Sequence, residues 1–353
     1  MRSAVKLAGL LALLGCVAGA GNLVAQGTPP NTPTVTVSGV VYAQYLYQFK
    51  DTANHVNNFD ITRSYINVIG KFPSGLTGRV TADIYRSADN SLAYRLKYAY
   101  AAYTPENSPL TFKFGEIHTP LLDWEEALWD YRMQGTMALE RGGYVSSSDF
   151  GLGVDGNWKK DFVNMQVGIY NGENYNRGTG DQRKDAMGRV SVRLKPSDDG
   201  SRVGGLRITG YGQLGKPTGG GIRDRWLGML SYKSKMFTLA GEYARTKDRQ
   251  DAPAPPATPQ LADVDGEIWS FFGVLHIPNS RAAVIGRVDI TDPDKNVANN
   301  KQTRFIGGVS YQLTPAFRLL ADIDNIGFEG SGPIPPAVYA TKTQGLFQAQ
   351  YAF

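Results

Sequence analysis

Along residues 34–49 apolar and polar side chains alternate one by one. Val35, Val37, Val41, Ala43, Tyr45, Tyr47 and Phe49 fall on one face, and Thr34, Thr36, Ser38, Gln44 and Gln48 on the other. A period of two belongs to a β-strand whose faces meet different surroundings. Fifteen more segments of this kind follow, at 58–72, 76–86, 92–103, 110–116, 149–158, 162–171, 186–195, 205–214, 223–233, 236–246, 265–276, 281–291, 302–312, 317–326 and 341–353. Segment 58–72 changes phase midway, as a β-bulge makes a strand do. Each is near the ten or so residues that carry a tilted strand across a bilayer.

The connections alternate as well. Short ones at 73–75, 159–161, 234–235, 277–280 and 313–316 interleave with long ones at 50–57, 172–185, 247–264, 292–301 and 327–340. Residues 196–204 break the pattern, as a long connection where a tight turn is due. A soluble sandwich has no reason to sort its loops this way, whereas an outer-membrane barrel has tight periplasmic turns and long outer loops. The expected fold is all-β: a closed antiparallel transmembrane β-barrel of about sixteen strands, with both termini on the periplasmic side. Such a barrel is wide enough to hold water.

The final segment closes that ring. Thr343, Gly345, Phe347, Ala349, Tyr351 and Phe353 share one face; Lys342, Gln344, Gln348 and Gln350 lie opposite, with Leu346 and Ala352 as exceptions. Phe347, Tyr351 and the terminal Phe353 resemble the signal by which bacterial barrel-assembly machinery recognises its clients. The alternative is an amphipathic edge strand of a soluble domain.

Composition leaves the matter open. The chain has 353 residues, 42% of them hydrophobic, and a mean hydropathy of −0.29. No apolar run long enough for a membrane helix follows the N-terminus, but that test is blind to barrels. Residues 1–25 have the form of a cleaved secretory signal: Arg2 and Lys6, then an apolar stretch from Leu7 to Val17, then Ala18-Gly19-Ala20 or Leu23-Val24-Ala25 for cleavage. Leu13-Leu14-Gly15-Cys16 is a poor lipoprotein box. Residues 26–33 make a polar lead-in and 34–353 a single barrel domain. Cleavage removes the one cysteine, so no thiol chemistry is expected. It also removes two positive charges from a formal +5, too little left to imply nucleic acid as a partner.

Where the apolar phase is clear, the opposite face predicts the lumen. It carries a basic wall of Arg79, Arg95, Lys97, Lys113, Arg189, Arg193, Arg207, Arg287, Arg304 and Arg318, with fewer acids, among them Asp83, Asp155, Asp289, Asp322 and Asp324. Collectively such a wall favours anions; any one of these residues alone is as readily a solvated strand position. The longest connection, 117–148, holds Leu121, Leu122, Trp124, Leu128 and Trp129, which need something to pack against. As the third outer loop it is expected to fold inward and constrict the barrel. Asp123, Glu125, Glu126, Asp130 and Arg132 would then face the basic wall across a transverse field. A loop lying outside the barrel, or between subunits, is the alternative.

Several pieces in sequence order resemble the phosphate-selective porin O/P family: Phe59-Asp-Ile-Thr-Arg63, Tyr98-Ala-Tyr-Ala-Ala-Tyr103, Leu110-Thr-Phe-Lys-Phe-Gly115, Pro120-Leu-Leu-Asp-Trp-Glu-Glu126, Glu140-Arg141, Ser148-Asp-Phe-Gly151 and Ile169-Tyr-Asn-Gly172. The resemblance implies a sixteen-stranded outer-membrane porin, trimeric, with its third loop inward. The family's phosphate-binding lysines and arginine ladder have no matched positions here.

Enzyme signatures fare poorly. Gly151-Leu-Gly-Val-Asp-Gly156 and Gly210-Tyr-Gly-Gln-Leu-Gly215 spell a dinucleotide fingerprint, but both lie within alternating strand patterns with no helix following. His55, His118 and His276 lack ligand spacing, so neither metal nor cofactor is expected. The expected function is passive diffusion of small hydrophilic solutes and ions, leaning to anions, in a trimer embedded in outer-membrane lipid. Two alternatives remain: a plugged barrel acting as adhesin or anchor, and an outer-membrane hydrolase using His118 with Ser146–Ser148.

Overall fold

The computed structural model describes residues 32–49, 55–175, 182–217, 220–250, 263–330 and 342–353. The expected export signal and most of the lead-in lie outside them. Residues Thr34–Phe353 form one compact unit.

The first eight strands are β1 (Thr34–Gln48), β2 (Asn57–Lys71), β3 (Leu76–Arg86), β4 (Leu92–Tyr103), β5 (Leu110–His118), β6 (Ser148–Trp158), β7 (Val163–Tyr170) and β8 (Asp185–Lys195). The second eight are β9 (Gly205–Gly215), β10 (Gly221–Lys233), β11 (Phe237–Gln250), β12 (Val264–His276), β13 (Ala282–Asp292), β14 (Gln302–Thr314), β15 (Phe317–Phe328) and β16 (Lys342–Ala352). Each pairs antiparallel with its chain neighbours, and β16 returns to pair with β1. Tyr45 stands opposite Phe347, and Val41 opposite Tyr351. Closure leaves no strand edge, which is the condition for a sheet to meet hydrocarbon. No helix among the described residues is long and apolar enough to cross a membrane.

The alternation sorts side chains as period two requires. Val35, Phe114, Leu152, Trp226, Leu239, Phe305 and Phe347 are among the exposed apolar residues of the outer surface. Their strand neighbours point the other way. The ladder's register shifts at four places, and two of these bulges bear on the site. Thr62 is the extra residue of β2, where Tyr42 pairs with Arg63 and Ala43 with Ile61. Lys97 is the extra residue of β4, where Thr81 pairs with Tyr98 and Ala82 with Leu96. The first accounts for the phase change read within 58–72. The second turns Lys97 and Tyr98, adjacent in sequence, to the same buried side.

Between β5 and β6 the chain forms two short helices, α1 (Leu122–Trp129) and α2 (Ala138–Arg141). Both glycine motifs lie inside strands, β6 and β9. In β6 the glycines serve close packing: a methyl group on Gly151 would come within 2.4 Å of the Ile169 carbonyl oxygen, and one on Gly153 within 2.8 Å of Ile117.

Candidate functional site

The segment between β5 and β6 is anchored by side chains on the barrel face opposite the exposed apolar one. Arg189 Nε donates to the Pro120 carbonyl (2.8 Å), Lys233 Nζ to Ala127 (2.6 Å), Arg287 to Thr136 (3.0 Å), Gln348 to Met133 (2.8 Å) and Arg225 to Tyr144 (3.1 Å). The Tyr131 and Ser310 hydroxyls lie 2.6 Å apart. Leu121, Leu122, Leu128 and Trp129 join Tyr211, Met229, Phe272 and Ile285 of the wall in one buried apolar cluster. Trp129 meets Phe272 edge-on at 5.6 Å. Trp124 lies under three guanidinium groups, Arg189 at 4.0 Å, Arg207 at 5.3 Å and Arg202 at 5.7 Å from its ring centre. Burying each large apolar side chain stabilises the docked segment by about 1.5–3 kcal/mol.

The acids of this segment do not form the free belt that a transverse field needs. Asp123 pairs with Arg202 at 2.7 Å, Glu126 with Arg132 at 2.5 Å and Asp130 with Arg318 at 3.1 Å. Arg132 also reaches Glu140 at 3.3 Å. Glu125 forms no ion pair among the described residues, although the charge of Arg287 reaches it. It is fully buried and meets the carboxyl of Glu242 of β11. Burial, then the charge of Glu242, raises the Glu125 carboxyl well above the ordinary carboxylate range.

Arg193 aside, the basic wall divides in three. Arg189, Arg207 and Arg287 are fully buried anchors: Arg207 donates to the Gly204 and Asp161 carbonyls, and Arg287 to Asp289 as well as Thr136. Their strands are covered by apolar side chains of the docked segment, so they are not open lining. Arg193 sits at a strand end and donates to the Lys160 carbonyl, away from either cavity described below. Lys113 is paired with Asp155, Arg304 with Asp324, and Arg318 with Asp130. Arg79, Arg95 and Lys97 have no acidic partner among the described residues. Arg79 contacts Asn67 and His118, Arg95 contacts Tyr175, and Lys97 contacts Tyr65.

Two cavities adjoin members of the second and third groups, Arg304 of the one and Arg79 and Lys97 of the other. One, of about 380 Å³, is lined by Tyr42, Tyr65, Arg79, Lys97, Asp123 and Glu126 among others. The other, of about 370 Å³, is lined by Arg63, Arg141, Arg304 and Asp324 among others. Arg132 lines both. Together they present seven cationic side chains against four carboxylates. Sequence reading misses Arg63, hidden by the β2 phase change, and Arg141 and Arg202, which lie outside strands. It also misses the tyrosines, which alternation alone places on the membrane face or leaves unassigned.

The hydrolase constellation does not assemble. His118 stacks on Tyr98 at 3.9 Å and faces Arg79 at 3.3 Å, while the Ser146 hydroxyl donates to the Ser148 carbonyl. Among the described residues no cluster of His, Cys, Asp or Glu could hold a metal ion.

A closed sixteen-strand ring with an apolar outer surface and charged cavities inside is the architecture of outer-membrane channels. The chain belongs to the Gram-negative porin family, whose description it matches over residues 10–331. Among solved structures it is similar to the anion-selective porin from Comamonas acidovorans, with 14% identity, a TM-score of 0.65, and coverage of 91% of this chain and 100% of that one. OmpF of Salmonella typhi, in complex with daunomycin, gives 13%, 0.66, 90% and 97%. OmpT of Vibrio cholerae, an outer membrane protein in trimer form, gives 11%, 0.62, 92% and 100%. At these identities the likeness establishes the fold. No curated protein matches the sequence. Family and fold indicate an outer-membrane channel for passive diffusion rather than an enzyme.

Proposed function

We propose that the protein is a water-filled diffusion pore that favours anions, with residues 119–147 lying in the lumen and narrowing it. The observation carrying this reading is the excess of cations around the two cavities that meet at Arg132. The anchoring contacts of the segment support its inward position, since they reach from β8 around the ring to β16. Solutes then pass along β1–β4 and β14–β16, where the lining residues Arg63, Tyr65, Arg79 and Arg304 are only half-buried. Asp123, Glu126, Asp130 and Arg132 bound one side of that passage; Arg79, Arg95, Lys97 and Arg304 bound the other. A low-dielectric wall focuses the net positive potential into the passage.

The subsidiary roles follow the same reading. Phe347, Tyr351 and Phe353 serve assembly-machinery recognition, and an N-terminal signal serves export. The working unit is a homotrimer, a reading supported by the trimer form of the Vibrio cholerae protein. The resemblance to phosphate-selective porins makes phosphate one solute to compare with chloride, sugars and amino acids. The test is reversal potential in a potassium chloride gradient across a planar bilayer. Anion preference is expected; a potential of the opposite sign contradicts it.

A further inference from the structure

Three wall cations stand apart in having tyrosine rings where Lys113, Arg287, Arg304 and Arg318 have acids. Arg79 lies 4.7 Å from the centre of the Tyr98 ring. Lys97 lies 5.7 Å from Tyr98, 5.1 Å from Tyr65 and 5.1 Å from Tyr175. Arg95 lies 4.5 Å from Tyr175 and 5.3 Å from Tyr85. Cation and ring thus alternate along one wall. Tyr65, Tyr85 and Tyr98 belong to the wall itself, on β2, β3 and β4. Tyr175 does not. It comes from the connection between β7 and β8, and its hydroxyl accepts a hydrogen bond from Arg95 at 3.1 Å.

The register makes this arrangement informative. Asp83 of β3 stands directly opposite Arg95 of β4. Oppositely charged residues in that position ordinarily pair across the ladder. Here the Arg95 guanidinium is drawn to Tyr175 instead, and Asp83 is left with Arg63 at 3.3 Å. One oxygen of the fully buried Asp83 carboxylate has no hydrogen-bond partner, and neither has Arg95 Nε. The two complementary groups form no ion pair, and the Arg95 guanidinium instead meets a side chain reaching in from another part of the ring.

We propose that Tyr175 is a selectivity-determining residue: by stacking on Arg95 and Lys97 it keeps Arg95 from neutralising itself on Asp83, so that its charge acts on passing ions. This rests on the pore reading above and adds a residue that neither wall nor third loop supplies. A ring face attracts a cation without cancelling its charge. The field of Arg95 therefore persists at the passage, where a carboxylate would have extinguished it.

The test is a double-mutant cycle read as the chloride-to-potassium permeability ratio of the full-length protein in planar bilayers. Tyr175→Ala is expected to lower the ratio by about twofold or more, without lowering conductance, since the variant removes bulk. Tyr175→Phe, which keeps the ring and loses the hydroxyl, should fall between. In an Asp83→Asn background Tyr175→Ala should have no further effect on the ratio, because Arg95 then has no partner to collapse upon. An Arg95→Gln background gives the same readout should Asp83→Asn not assemble. Simple widening would act equally in every background, and that result overturns the proposal, as does an unchanged ratio in Tyr175→Ala. The relative change is read whichever ion predominates. A cation-preferring wild type therefore refutes anion preference without deciding the role of Tyr175.

Discussion

Glu125 and Trp129 share a situation, each buried where the third connection docks. Because burial and Glu242 raise the Glu125 carboxyl, its neutral form is the one the docked state holds. Below the ordinary carboxylate range the group is protonated docked or undocked, and nothing is lost. As pH rises through that range and on toward the raised value, the docked state retains a proton that the undocked state has released, so docking weakens. Glu125→Gln should flatten this dependence; the emission of Trp124 and Trp129 followed against pH measures it, and an unchanged slope counts against the pairing. Trp129→Ala removes a fully buried ring and should weaken docking by about 3–5 kcal/mol. Protease cleavage within 119–147 of the folded barrel should then appear where the parent resists. Such roles are not legible in the sequence. A Trp-rich acidic loop shows that it must pack, but which acid finds a cation and which finds another acid depends on contacts with residues over a hundred positions away, as for Glu125 and Glu242.

Strands are legible because period two is local: each of the sixteen segments read from alternation corresponds to a strand, with ends shifted by a few residues. β5 is the instructive one. Its pattern reads to 116, yet it runs to His118 before the chain leaves the wall. Bulges are half legible. That of β2 shows as a phase change, while that of β4 is masked because Lys97 and Tyr98 each look acceptable on either face. The connection at 196–204 stands out in the sequence for its length but not for its purpose. Its Arg202 grips Asp123 and covers Trp124, and its Val203 is buried in the apolar cluster with α1. It acts as a strap under the helix. Arg202→Ala should loosen that end modestly, by about 1 kcal/mol for a half-exposed pair. Larger open-channel current fluctuations with a lowered anion preference are the expected signs, since Arg202 is one of the cavity cations and its loss frees Asp123; an equally quiet channel would show the strap to be dispensable.

At the scale of the whole molecule, closure does two things at once. It satisfies every strand's backbone against hydrocarbon, and it separates an apolar exterior from a charged interior. On the pore reading proposed above, the interior is divided unequally. On the β8–β13 side the docked segment covers apolar and arginine-bearing wall, and on the β1–β4 side tyrosines and unpaired cations remain beside open space. Sequence alone assigns all ten basic residues one role; the fold gives some to anchoring and some to ion pairs, and leaves Arg79, Arg95 and Lys97 without an acidic partner among the described residues. The claim beneath all of this is that the passage is continuous and filled with water. Single-channel recording of purified protein in a planar bilayer over a range of salt concentrations tests it most directly. Stable ohmic steps whose size rises with bulk conductivity are predicted, and a correctly closed barrel that inserts without producing them would contradict the account.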